Sequence, residues 1–211
     1  MKDKVFCMWN LIQKIWRLLN DRYIFYRRLV VIERHIEKKQ SMIGSNIKKS
    51  EFSAKRVMNI NGLLETKIKK ALLRMDFHPP FDIKEAKRRL KDGYFFIILE
   101  HNGEVIGWSW AAVNSIYIPE IEKEVNLGNR TAFSFNTYIN KHYRNKGLNR
   151  LLFQMQLKSL SEEHFSIIWG LIYSWNENSI KSLTAMGWEI TARYYYLKFI
   201  FIKIRYRSDL N

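Results

Sequence analysis

The sequence predicts an α/β (α+β) chain. Its sheet is mixed and mostly antiparallel, with one parallel strand pair flanked by helices and an amphipathic helical appendage in front. Three observations predict this. Strand-like runs and helix-like 3–4 spacings follow one another in the order β-α-α-β-β-β-α-β-α-β. A helical pattern at Gly147–Leu160 separates the strand patterns Thr131–Asn140 and Phe165–Tyr173, and a helical crossover makes two strands run parallel. Elsewhere a tight turn containing Asn102-Gly103 joins Tyr94–Glu100 to Glu104–Val113, and such a turn makes an antiparallel hairpin.

Taken in order, the apolar residues Val5, Met8, Trp9, Ile12, Ile15, Trp16 and Leu19 fall on one helical stripe, with Lys4, Asn10, Gln13, Lys14 and Arg17 opposite. Tryptophan beside a basic face suits a helix on an anionic membrane surface, or one docked on the body of the protein or on a partner. Residues 23–36 contain a β-branched run and read as strand or helix. Residues 37–50 are polar with one Gly and three Ser, a linker composition. The domain division expected is therefore a basic appendage and linker at 1–50 and one folded domain at 51–211. Arg56–Ile60 reads as a strand and Gly62–Met75 as a helix, broken by Pro79-Pro80. Ile83–Lys91 is a second helix, stopped at Asp92-Gly93. After the hairpin, Asn176–Met186 is a helix and Trp188–Ile204 mostly strand.

A 211-residue chain that is 47% hydrophobic can bury a core. One cysteine, Cys7, rules out an internal disulfide framework and suits a reducing compartment. No segment reaches the roughly 18 apolar residues of a spanning helix, and the N-terminus lacks the long apolar stretch of a signal peptide. A cytoplasmic location is expected, with peripheral contact at the inner face of a membrane through residues 1–36. The net charge of +16 is concentrated at the ends: residues 1–50 carry twelve Lys/Arg against four Asp/Glu, and residues 193–211 five against one. That distribution fits an anionic surface met by appendages, rather than a nucleic-acid groove through the core. Tyr194-Tyr195-Tyr196 suggests a stacking platform, but neighbouring strand residues face opposite ways, which fits core packing better.

Nucleotide-phosphate loops of the G-x-x-x-x-G-K-[S/T] and G-x-G-x-x-G types are absent, as is H-E-x-x-H, and the five histidines show no ligand spacing. The stretch that carries chemistry is YINKHYRNKGLNRLL, Tyr138–Leu152. It closes a strand and opens a helix, so the unpaired N–H groups from Lys146 to Arg150 converge at the positive end of the helix dipole. Such a place binds pyrophosphate. Gly147 permits close approach, while Arg144 and Lys146 add charge or are simply solvated.

Together with NENSIKSLTAMGWEI, where Asn176, Gly187 and Trp188 are spaced as a second block, this loop resembles the GNAT superfamily of coenzyme A-dependent acyltransferases over about residues 52–204. The resemblance implies acetyl-CoA, or another acyl-CoA, as co-substrate, no metal, and transfer to an amine or hydroxyl of a small molecule or envelope-sugar precursor by direct attack in a ternary complex. It also allows a homodimer. By position, Ile139 and Asn140 end the strand that pairs with the pantetheine arm. Arg144, Asn145, Lys146, Gly147, Leu148 and Asn149 form the pyrophosphate loop, and Asn176 meets the coenzyme arm.

Two positions depart from the family. Asn149 stands where Gly or Ala usually closes the loop. Leu183 stands where many members carry the tyrosine that protonates the leaving thiolate, and leucine has no proton to give. The strand TAFSFNTYIN offers no carboxylate as general base. By strict alternation Ser134, Asn136 and Tyr138 share one face, and these are the catalytic candidates. Further base candidates are His142, beside the phosphate loop, and Glu100, which also reads as a solvated turn residue. The departures leave open a GNAT-fold protein that binds acyl-CoA without catalysis, and a basic RNA- or protein-binding module.

Overall fold

The computed structural model describes residues 24–36, 51–75, 77–199 and 202–210. The helix expected at Val5–Leu19 and the linker expected at 37–50 lie outside them. In chain order the elements are β1 (Ile24–His35), β2 (Phe52–Val57), α1 (Gly62–Leu73), α2 (Ile83–Lys91), β3 (Phe95–His101), β4 (Glu104–Ile118), β5 (Lys123–Ile139), a 3-10 turn (Lys141–Tyr143), α3 (Leu148–Glu162), β6 (Ile167–Tyr173), α4 (Glu177–Thr184), β7 (Glu189–Phe199) and β8 (Ile202–Asp209).

The strands form one sheet in the order β2-β3-β4-β5-β6-β1-β7-β8. Among the described strands only the β5–β6 pair is parallel, as the crossover through α3 requires. β1 corrects the expected domain boundary. The β-branched run is strand and lies between β6 and β7, antiparallel to both. Its Leu29, Val30, Val31 and Ile32 are all buried, as expected of a strand covered on both sides. Residues 24–35 thus belong to the folded body rather than to an appendage before residue 51.

Sequence alternation sends the two halves of the core to opposite faces. On one face Phe96, Ile98, Trp108 and Trp110 pack under Ile68, Ala71 and Leu72 of α1 and Ala86 of α2. On the other, Ile97, Leu99 and Ile106 meet Leu148 and Leu152 of α3. Further along that second face Ile32 and Ile168 pack with Phe153, Leu157 and Leu160 of α3 and Leu183 of α4. Gly107 sits where β4 and β5 come closest: an added Cβ would stand 2.6 Å from the Tyr138 carbonyl oxygen.

Two stretches differ from the alternation reading. β4 and β5 run on to Ile118 and from Lys123 as a long hairpin, interrupted by register shifts around Asn114. Its tip bends over the β1–β7–β8 end, where Glu122 is held by Lys198 at 3.0 Å and Lys203 at 2.7 Å. The expected single strand at Trp188–Ile204 is two, β7 and β8, paired antiparallel.

Candidate active site

The parallel pairing of β5 and β6 is short: Thr131–Ile167, Ala132–Ile168 and Phe133–Trp169 are partners, and beyond Phe133 the two strands part. A cavity of about 700 Å³ opens in that gap. One end is walled by Arg144, Asn145, Gly147, Leu148 and Asn149, the middle by Ser134, Asn136, Tyr138, Ile139, Asn176 and Leu183, and the far end includes Phe77, Tyr173 and Glu120. Ten of the twelve residues singled out from sequence therefore meet in one space. Asn140 and Lys146 do not line it.

The loop geometry explains that exclusion. Asn140 is used up by the turn: its N–H donates to Ile106 O at 2.8 Å, and its Oδ1 accepts from His142 N at 3.1 Å. Lys146 lies with Nζ 5.5 Å from the centre of the Tyr143 ring. Arg144 folds back, donating from Nε to Ile139 O at 2.9 Å with its guanidinium 5.8 Å from the Tyr138 ring centre. That fixes the guanidinium at the cavity wall. Asn145 and Gly147 both take left-handed backbone, with φ of 61° and 69°, which bends the chain into the first turn of α3. No side chain caps α3, and its first turn carries no acid. Among the described residues the N–H groups from Lys146 to Asn149 have no acceptor. A bare helix start holding several convergent donors is an anion site in waiting, and these residues fit a diphosphate.

The middle of the cavity corrects the alternation reading of β5. Trp110 pairs with Phe135 and Trp108 with Tyr138, so β5 spends one residue more than β4 across this step. The extra residue is a β-bulge, with Asn136 at φ 49°. Ser134, Asn136 and Tyr138 consequently do not share a face. Ser134 points to α3, where its Oγ donates to Gln156 Oε1 at 3.2 Å. Tyr138 points the other way, into the cluster of Trp108 and Phe77. The bulge brings Thr137 to the Ser134 side, 2.8 Å from Ser109 Oγ, which also accepts from Gln156 Nε2 at 3.1 Å. Gln156, fully buried, thus ties α3 to β4 and β5 beside the gap. A glutamine on the inner stripe of α3 was the available sequence signal for this network, and it was missed.

Asn176 caps α4, its Oδ1 accepting from Ser179 N at 3.3 Å, and still lines the cavity. Leu183 is buried in the wall. His142 lies on the exposed 3-10 turn outside the lining. Glu100 is neither in the cavity nor a solvated turn residue: it is buried, with Lys55 at 2.6 Å and Lys67 at 3.6 Å. Among the described residues that line the cavity, Glu120 is the one that carries a carboxylate. Its neighbour Tyr173 is held protonated above the ordinary tyrosine range by burial, against the opposing pull of Arg27. Arg27 pins this corner by donating to Pro119 O at 2.8 Å and Glu120 O at 2.7 Å. Residues 114–130 carried no assigned element in the sequence reading, so Glu120 had no place from which to be recognised.

Comparison with known proteins gives the following. The family model described as "Acetyltransferase (GNAT) family" matches residues 66–188. No curated protein matches the sequence. Among solved structures, the chain is similar to a tandem GNAT protein of the clavulanic acid biosynthesis pathway, with a TM-score of 0.57 and 11% identity over 89% of this chain and 55% of that one. It is also similar to a GNAT-family structure from Novosphingobium aromaticivorans, with a TM-score of 0.54 and 11% identity over 83% and 65%. A Drosophila protein gives a TM-score of 0.54 at 11% identity over 90% and 58%. The chain spans less than two thirds of each of these proteins, and at such identities the likeness is one of fold.

Proposed function

From the premise that the chain belongs to the GNAT acetyltransferase family, we propose that it transfers an acetyl or longer acyl group from acyl-coenzyme A to a cationic amine on a small molecule or sugar precursor. The observation that carries this reading is the single cavity that runs from the uncapped start of α3, through the gap between β5 and β6, to Glu120. The diphosphate sits on the N–H groups of residues 146–149, with Arg144 alongside. The pantetheine arm follows β5 past Ile139 toward the bulge at Asn136, beside Asn176. At the far end, one carboxylate among the rings of Phe77, Tyr138 and Tyr173 selects a positively charged acceptor by ion pairing and by the negative faces of the rings.

In the reaction the amine nitrogen bonds to the acyl carbon and the C–S bond breaks. The acceptor ammonium first gives one proton to Glu120, and so to solvent, which frees the lone pair that attacks. The nitrogen's second proton ends on the departing sulfur, so thioester and ammonium become amide, thiol and one released proton. Leu183 donates nothing here. A thiolate with an ordinary pKa near 8.5 is a tolerable leaving group without an acid. Glu120 is placed to hold the ammonium and to accept its proton. Ser134, Asn136 and Tyr138 border the acyl end of the path, where they orient acceptor or water.

Calorimetry with acetyl-CoA, followed by a thiol-release assay over amines, amino sugars and neutral alcohols, tests the proposal. Binding together with amine-dependent thiol release is expected. Binding with no release from any acceptor would leave a coenzyme-binding protein, and no heat at millimolar coenzyme would remove the coenzyme site altogether.

A further inference from the structure

Gln156 is polar and fully buried on α3, at a place where an apolar side chain would bring no polar atoms out of water. Its amide is committed in one direction. Ser134 Oγ donates to Gln156 Oε1 at 3.2 Å, and Gln156 Nε2 donates to Ser109 Oγ at 3.1 Å. Ser109 is itself fully buried, and a buried hydroxyl whose proton finds no acceptor is destabilising. Its acceptor is Thr137 Oγ1, 2.8 Å away. A hydroxyl has one proton to give. Gln156 takes that of Ser134, and Thr137 takes that of Ser109. The donors thus run in series from Ser134 through Gln156 and Ser109 to Thr137, and one proton is left over, on Thr137.

The backbone decides where that proton stands. Ser109 lies between Trp108, which pairs with Tyr138, and Trp110, which pairs with Phe135, so it faces the bulge itself. The extra residue turns Thr137 to the α3 side of the sheet, the side that Leu183 of α4 also walls. Thr137 is exposed and lines the cavity together with Asn136 and Leu183. Among the described residues its hydroxyl has Ser109 as its hydrogen-bond partner and no other.

We propose that the Thr137 hydroxyl faces the sulfur of the bound coenzyme and donates a hydrogen bond to it as the C–S bond breaks, and that Gln156, acting through Ser109, is the positioning residue that keeps this proton turned toward the cavity. The inference rests on the acyl-transfer reading above, which brings the thiol end to Asn136. When the bond breaks, its electron pair goes to sulfur. Thr137 keeps its own proton throughout, and the proton that ends on sulfur is the second one from nitrogen. A hydrogen bond to the growing negative charge is stronger than one to the thioester, and an interaction that strengthens toward the transition state speeds the step. Leu183, on the same side, offers none. The neighbouring hydroxyls are committed elsewhere: the Ser134 proton goes to Gln156, and Tyr138 points to the opposite face, toward Trp108 and Phe77. Without the Gln156 amide, the bond between Ser109 and Thr137 is free to reverse, and the last proton then turns into the sheet.

The test reads the sulfur directly and needs no turnover. Reduced coenzyme A is bound to the full chain, its Kd is measured by calorimetry, and the ultraviolet absorbance of its thiolate is followed as the pH is raised. A donor aimed at sulfur favours the thiolate. The bound thiol is therefore expected to titrate about one pH unit higher in Thr137→Val than in the unchanged chain, the worth of one hydrogen bond to a charged group. Thr137→Ser should restore the unchanged value, and Gln156→Leu should lose it although Thr137 is still present. Should Gln156→Leu not fold, Ser109→Ala breaks the same series of donors. The charged and titratable groups on the lining, Glu120, Tyr138, Tyr143, Arg144 and Tyr173, are the same in all these variants. With an amine acceptor, Thr137→Val should lower kcat about tenfold at unchanged KM. Equal titration in the unchanged chain and Thr137→Val, both with coenzyme bound, would overturn the inference and leave the coenzyme site standing, and so would an unchanged kcat. A change in Thr137→Val that neither Gln156→Leu nor Ser109→Ala shares would overturn the role of Gln156. No coenzyme binding by the unchanged chain would remove the acyl-transfer reading and this inference with it.

Discussion

Four helices of this fold begin in two different ways. α1 starts on Asn61, whose side chain accepts from Leu64 N at 3.1 Å, and carries Glu65 in its first turn. α2 starts on Asp82, which accepts from Glu85 N at 2.7 Å, with Glu85 in its first turn. α4 starts on Asn176 with Glu177 next. Each of these satisfies its own orphan donors and offsets its own dipole. α3 does neither. It starts on left-handed Gly147, without a side-chain cap and without an acid in its first turn. The contrast teaches that the α3 start is not a routine helix end. Capping residues were within this sequence's repertoire three times, and at the start of α3 there is none. The donors there remain for a ligand.

The comparison can be broken by making α3 resemble the others. Asn149→Asp puts a carboxylate in its first turn. A charge a few ångströms from a diphosphate costs about 3 kcal/mol at an effective dielectric near 20, so acetyl-CoA binding should weaken by about a hundredfold in calorimetry. Gly147→Val forces a branched residue into a left-handed conformation at the same place, and about a tenfold or greater rise in Kd is expected from strain and crowding. The far end of the cavity supplies the counterpart. Glu120→Gln should raise KM for an amine acceptor by about tenfold, the worth of one charge-assisted hydrogen bond, while the Kd for acetyl-CoA stays as it was.

Smaller effects sharpen the contrast from the other side. Asn61→Ala removes an ordinary cap and should lower stability in denaturant unfolding by about 1 kcal/mol without touching coenzyme binding. Acid should act on the same helices. Glu65 is held at about 2 rather than 4.5, chiefly by its hydrogen bond to Lys69, and Glu85 likewise at about 2, chiefly by Arg88. Both carboxylates bind protons more weakly in the folded chain than in the unfolded one. Their contribution is therefore present above pH 4.5 and fades as pH falls from there toward 2. Melting curves across that range should show stability declining with acid, and less steeply in Glu65→Gln/Glu85→Gln.

What was legible in the sequence follows the same division between regular and irregular backbone. The parallel pair, the hairpin at Asn102-Gly103 and the helices at 62–75, 83–91, 147–160 and 176–186 announce themselves by periodicity and turn residues, and the loop at Arg144–Asn149 by its place between a strand and a helix. Alternation fails where the chain breaks its own period. The bulge at Asn136 adds one residue to β5, so Tyr138 and Ser134 end on opposite faces. Shifts near Asn114 hide the length of the β4–β5 hairpin and, with it, Glu120. β1 was ambiguous for another reason. Leu-Val-Val-Ile is a run buried on both sides, which carries no two-residue period, and its neighbours β6 and β7 lie more than a hundred residues away in the chain.

The claim on which the rest depends is that the unpaired amides at the start of α3 hold the diphosphate of the acyl carrier. A crystal structure of the full chain with coenzyme A measures this directly. The account predicts diphosphate oxygens within hydrogen-bond distance of the N–H groups of residues 146–149, and the thiol end between β5 and β6 near Asn136. Coenzyme bound with its diphosphate away from that helix start, or a thiol end outside the gap, would contradict it.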